Sequence, residues 1–194
     1  MTQEIKECET KIGGKDDIVE CDESIFYKDR KNNKTNKVWV FGGISRNTKE
    51  IFAEVVPDRM AETLISLIKK YIHPESTIYT DMFRSYDQIY ERLGIAHHQI
   101  NHSQEMTVTE FDEKTNKLKV MHTNNIECTW RILKDNIPGQ NRNKKDLPYH
   151  LFEQIFRHQN KHRLWDAFIE CLRDTNKEFI DEIQSEDNTE LNIA

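Results

Sequence analysis

The chain has 194 residues, a mass of 23.2 kDa and a formal charge of −6, which suits one compact domain, or one domain and a tail. Ile, Leu, Val and Phe make up 24% of it, above the roughly 20% below which a chain cannot assemble a core, while 32% charged residues and a mean hydropathy of −0.82 give a heavily solvated surface. No apolar run approaches the ~18 residues of a membrane span, and the acidic-polar start, Met1 to Glu9, is neither signal nor transit peptide, so a membrane protein, a secreted disulfide scaffold and a fully disordered chain are excluded.

In chain order, Ile18 to Tyr27 mixes β-branched and aromatic residues and reads as a strand. Lys28 to Lys37 is a polar connection. Lys37 to Ser45 and Glu50 to Val56 are two further strands, turned at Asn47-Thr48-Lys49. From Met60 the apolar positions Leu64, Leu67, Ile68, Tyr71 and Ile72 fall at helical spacing, with Asp58 available as a cap and His73-Pro74 as a stop. Ser76 to Thr80 is a short strand ending in Asp81. Phe83 to Leu93 reads as a helix closed by Gly94, and Ala96 to Asn101 as another short strand. Residues 103–121 are a polar insertion with a hairpin at Glu113 to Asn116. A helix resumes at Thr123 through Ile126, Trp130, Leu133 and Ile137, and Pro138-Gly139 ends it. Pro148 to His158, His162 to Arg173 and Asn176 to Gln184 are further helices. The order β-β-β-α-β-α-β-α is an α/β layout with a mixed sheet and a helical C-terminal extension.

The cysteines, Cys8, Cys21, Cys128 and Cys171, contain no C-x-x-C pair, which argues against a zinc ribbon or finger and for reduced thiols in an intracellular protein. The charge is unevenly placed: the segment from Glu170 onward carries eight acids against Arg173 and Lys177, and residues 1–169 are neutral. The acidic total therefore says nothing against a nucleic-acid partner for the body of the protein.

Three acids stand out. Asp22 lies inside an apolar strand, where a carboxylate is expensive unless it meets a cation or faces water. Asp81 ends a strand, where active sites of α/β sheets gather, and it is equally placed to cap the next helix. Glu127 sits on a later helix, one turn after Thr123 and Asn124, a position that also suits a solvated glutamate. Together they form the layout of a ribonuclease-H-like nucleic-acid enzyme, in which carboxylates hold two Mg²⁺ or Mn²⁺ ions about 3.5–4 Å apart. Lys134 lies seven residues after Glu127, on the same helix face, suited to hold a phosphate.

The blocks VECDES (19–24), WVFGGISR (39–46), STIYTDMFRSY (76–86), INHS (100–103), HTNNIECTW (122–130) and the Leu147-Pro148 segment resemble, in order, the Merlin-type DDE transposases and their bacterial insertion-sequence relatives, from about Ile12 to His158. The resemblance implies a ribonuclease-H-like fold with Mg²⁺-dependent cleavage of transposon ends and strand transfer into target DNA. It matches Asp22 and Asp81 to the first two catalytic acids. For the third it offers Glu127, as in Merlin-type members, or Asn124, as in many bacterial relatives; the charge of a carboxylate favours Glu127.

The implied division is a tail at 1–14, a catalytic domain at 15–158 and an acidic helical extension at 159–194. About 17 residues precede the first strand, where family members carry a helix-turn-helix and a zinc ribbon, so the chain is expected to lack that region. A truncated or domesticated relic that binds DNA or protein without catalysis is the competing expectation. Lys31 and Lys34 lie in the first basic stretch, and Arg131, Lys134, Arg142, Lys144 and Lys145 in the second; both are candidate DNA contacts. DNA and a second copy of the chain are the expected partners. The expected compartment is the nucleus of a eukaryotic host or the cytoplasm of a bacterial one.

Overall fold

The computed structural model describes residues 11–31, 34–100, 108–112 and 117–190, with residues 29–31, 34–36, 108–112, 117–121 and 178–190 described by backbone alone. Strands β1 (Ile18–Lys31), β2 (Lys34–Ser45) and β3 (Ile51–Val56) form an antiparallel meander. The turn at Asn47–Lys49 falls where its residues predict, with Lys49 at φ 63° and Ser45 N–H donating 3.0 Å to Glu50 O. Helix α1 (Ala61–Tyr71) follows, then β4 (Thr77–Asp81), the short α2 (Ile89–Leu93) and β5 (Ala96–Ile100). A separate two-stranded hairpin, β6 (Val108–Asp112) and β7 (Lys117–Met121), precedes α3 (Asn124–Asn136), α4 (Leu147–Gln159) and α5 (Leu164–Glu190).

The main sheet has the order β3-β2-β1-β4-β5, with β1 and β4 parallel and β4 and β5 parallel. Each face of β1 buries a different set. Val19 and Cys21 join Phe41, Phe52 and Ile78 beneath Leu64, Ile65, Leu67 and Ile68 of α1. On the other face Phe26, Val40 and Ile44 pack under Ile126, Trp130, Leu133 and Ile137 of the α3 segment and under Leu147 and Leu151 of α4. The i, i+4, i+7 and i+11 spacing of the α3 set is the helical stripe expected from sequence. Two apolar faces thus hold the strands that carry the acids.

Several elements differ from expectation. Lys28 to Lys37 is not a connection but the continuation of the β1–β2 ladder, pairing Lys28 with Lys37 and Lys31 with Lys34. Backbone bonds carry a ladder beyond the core, so its residues need not be apolar. The span 83–93 is not one helix: Arg84–Tyr86 is a 3₁₀ turn, because the Tyr86 ring is drawn fully into the core and overrides local propensity. Gly94, at φ 66°, closes α2 as expected. The two helices expected near the C-terminus are the single α5. Asp174-Thr175-Asn176 are only weak helix formers, costing up to ~0.7 kcal/mol each, and none is Gly or Pro.

The chain divides into two compact units, 1–155 and 156–194. Of the expected tail, Ile12 is 4% exposed and bridges in parallel to Ile72, while residues 1–10 lie outside the described residues. In the second unit Trp165 and Phe168 pack ring to ring at 6.0 Å. Among the described residues no helix is long and apolar enough to cross a membrane.

Candidate active site

Parallel pairing of β1 with β4 puts Glu20 beside Tyr79. Two residues further along each strand stand Asp22 and Asp81, on the same face of neighbouring strands at the same level. Glu127 is on the exposed side of the first turns of α3, with Asn124 one turn earlier and also exposed. Burial, foremost, pushes the Asp22 carboxyl up to about 6, and the charges of Asp81 and Glu127 push it the same way. Hydrogen bonds from the Glu23 backbone and from Trp130 oppose the shift. Three acids from three elements therefore share one electrostatic locale.

Each of the two aspartates has a local anchor. Trp130 Nε1 donates to Asp22 Oδ2 at 3.0 Å, and Phe83 N–H donates to Asp81 Oδ1 at 3.0 Å. Asp81 therefore does not cap a helix at Phe83 as expected, because that span opens as a 3₁₀ segment; it closes a local turn ahead of it with one oxygen, leaving the second for other chemistry. Among the described residues no three His, Cys, Asp or Glu side chains converge closely enough to enclose an ion. The donor set still fits a hard divalent cation: carboxylate oxygens, half-buried at Asp22 and Asp81, whose mutual repulsion a cation would relieve.

Gly42 makes the Trp130 anchor possible. It pairs across the ladder with Asp22, and a Cβ built on it would lie 2.5 Å from Phe52 O and 2.6 Å from Trp130 Cη2. A backbone carbonyl cannot yield, so Gly42→Ala is expected to cost about 2–3 kcal/mol. Thermal melting checks this, together with a fall in Trp130 fluorescence anisotropy as the indole loses its seat.

The basic residues divide by what they touch. Lys134 Nζ donates to Ser24 Oγ at 2.7 Å and sits 5.3 Å above the Phe26 ring. Burial and the Arg142 charge lower its pKa while Asp22 opposes them, so its ammonium lies in the field of Asp22. Arg142 turns inward: its guanidinium donates to Ile137 O at 2.9 Å and to Lys134 O, closing the C-terminal end of α3. Arg131, Lys144 and Lys145 are exposed. The side chains of Lys31 and Lys34 lie outside the described residues, on the outer part of the β1–β2 ribbon.

Sequence reasoning missed two buried acids on β1. Glu20 is fully buried against the N-terminus of α3, and Glu23, 9% exposed, accepts from Tyr86 Oη at 2.8 Å on the opposite face. Their signal was present as acids set among apolar residues of a strand, each of which burial obliges to find a partner.

A five-stranded sheet in this order, three antiparallel strands followed by two parallel ones, with acids on the central strand, its parallel neighbour and the covering helix, defines a ribonuclease-H-like domain. Residues 3–158 match the ISXO2-like transposase domain, and the chain belongs to that family. An uncharacterized transposase-like protein of Haemophilus influenzae is 37% identical over 67 residues, covering 34% of this chain and half of that relative's length. Among solved structures, the catalytic core domain of BIV integrase has a TM-score of 0.48 and 14% identity over 82% of this chain and 97% of its own. A simian T-cell lymphotropic virus intasome, in complex with the PP2A regulatory subunit B56 gamma, has a TM-score of 0.46 and 13% identity over 74% of this chain and 48% of its own.

Proposed function

We propose that this domain performs DDE-type transposition chemistry, cutting phosphodiester bonds at transposon ends and joining them to target DNA. Asp22, Asp81 and Glu127 would hold two Mg²⁺ or Mn²⁺ ions, with Asn124 as the alternative third ligand. What supports the reading is the shared locale: the charges of both Asp81 and Glu127 act on Asp22. When bound, the ions would activate the attacking water or 3′-hydroxyl and stabilise the leaving oxygen.

The protein's own groups prepare that site. Trp130 orients the Asp22 carboxylate, which carries no proton above about pH 6. Lys134 offers a cation beside the acids for a DNA phosphate. Arg131, Lys144 and Lys145, with Lys31 and Lys34, would contact the phosphate backbone, and Arg142 fixes the helix that bears the third acid. A homodimer would supply one such site for each of two ends.

Calorimetric titration of Mn²⁺ into the purified chain tests the reading. At pH 7.5 the parent is expected to bind and Asp22→Asn to lose binding. Parent affinity is expected to weaken as pH falls through about 6, where Asp22 takes up a proton that competes with metal. No binding by the parent, even with DNA present, would return the chain to a non-catalytic relic.

A further inference from the structure

At the start of helix α3 a local side chain serves the first amide, His122 Nδ1 accepting from Asn124 N–H at 3.3 Å. Thr123 occupies the N-cap position and makes no side-chain cap bond. Asn125 N–H and Ile126 N–H instead donate to Glu20 Oε2, at 2.9 and 3.2 Å, and Asn125 Nδ2 donates to Glu20 Oε1 at 2.7 Å. A strand carboxylate, distant in sequence, thus satisfies two of the helix's otherwise unpaired first amides and meets the positive end of its dipole.

The carboxylate is itself held. Arg46 Nε donates to Glu20 Oε1 at 2.6 Å, and Arg46 Nη2 donates to His122 O at 2.6 Å, just before the helix. The same guanidinium stacks 4.8 Å from the centre of the Tyr79 ring on β4, and His122 Nδ1 lies 3.4 Å from Glu20 Oε1. Glu20 has no exposed side-chain surface, so losing its charge leaves Arg46 facing an uncompensated site. The network therefore ties β1, β4 and the start of α3 together directly beneath the three acids.

We propose that Glu20, clamped by Arg46, is a positioning residue that sets where Glu127 stands relative to Asp22 and Asp81. Glu20 is two residues before Asp22 on the same strand face, and the amides it binds are one and two residues before Glu127. One rigid carboxylate thus references the third acid to the first. The inference rests on the metal-dependent reading above.

Glu20→Gln tests it, with amide hydrogen exchange, Mn²⁺ calorimetry and DNA nicking measured on the same preparation. The expected result is faster exchange at Asn125 and Ile126, Mn²⁺ affinity weakened about tenfold and nicking at saturating DNA reduced about tenfold, with DNA affinity unchanged. Unchanged exchange, or faster exchange with parental Mn²⁺ affinity, overturns the positioning role. A parent that binds no Mn²⁺ and does not nick overturns the functional reading, and the positioning role with it. Arg46→Lys, which keeps the charge but loses the fork spanning Glu20 and His122 O, is read by the same criteria if Glu20→Gln does not fold.

Discussion

Replacing Asp22, Asp81 or Glu127 singly by Ala is expected to lower Mg²⁺-dependent nicking of supercoiled DNA by at least about a thousandfold, roughly 4 kcal/mol of barrier. Each substitution removes one of the three charges that would hold the metals, and the other carboxylate on that face of β1, Glu20, is already engaged by Arg46 and the first amides of α3. Asn124→Ala is expected to cost less than about tenfold, since a neutral amide contributes less to a divalent ion than a carboxylate does. The two side chains stand one turn apart on the same helix face, so the pair of variants assigns the third ligand directly. Loss in Asn124→Ala with activity kept in Glu127→Ala would move the role to Asn124. Retention in all four would sink the assignment. Asp22→Asn supplies the folding control: burial already makes an ionised Asp22 costly, so the amide is expected to melt no lower than the parent at pH 8.

The second large effect is on stability and involves Glu23 alone. Its carboxyl is pushed up to about 7, first by burial and then by the charges of Asp22 and Asp81, against the Tyr86 hydroxyl and the Arg59 guanidinium. A carboxyl whose folded pKa lies above its unfolded value binds the proton more tightly when folded. Its contribution is therefore complete below about pH 4.5 and is lost as pH rises through about 7. The shift amounts to about 3 kcal/mol. Glu23→Gln keeps an acceptor for Tyr86 Oη and removes the titration. The variant is expected to melt roughly 5–10 °C above the parent at pH 8, with the gap closing near pH 5. Equal melting temperatures at both pH values would show that Glu23 does not titrate in this window. Asp22 tilts the parent's profile in the same direction up to about pH 6 and does so in both proteins.

Much of this fold was legible in the residues because its elements are written in strong local signals. The apolar meander, the Met60 to Ile72 stripe, the Gly94 stop and the Ile126-Trp130-Leu133-Ile137 stripe each found their place. Misreadings occurred where tertiary contacts or the backbone ladder decided. Tyr86 left its expected helix because its hydroxyl and ring are claimed by Glu23 and the core. The Lys- and Asn-rich Lys28 to Lys37 stretch stayed in strand because pairing propagates along the backbone regardless of polarity. Of the site, Asp22 and Asp81 could be placed from strand position. Glu20 and Glu23 could not be given partners, because Asn125, Arg46 and Tyr86 come to them only through folding.

The β6–β7 hairpin stands as its own two-stranded sheet between β5 and α3 in the chain. The helix bearing the third acid is seated by what it touches on β1, not by the length of chain that delivers it. The stretch of chain between β5 and α3 is thereby relieved of any duty as a measuring rod. Changes to the length or surface of that stretch are expected to leave the seating of α3 on β1, and with it the candidate site, in place.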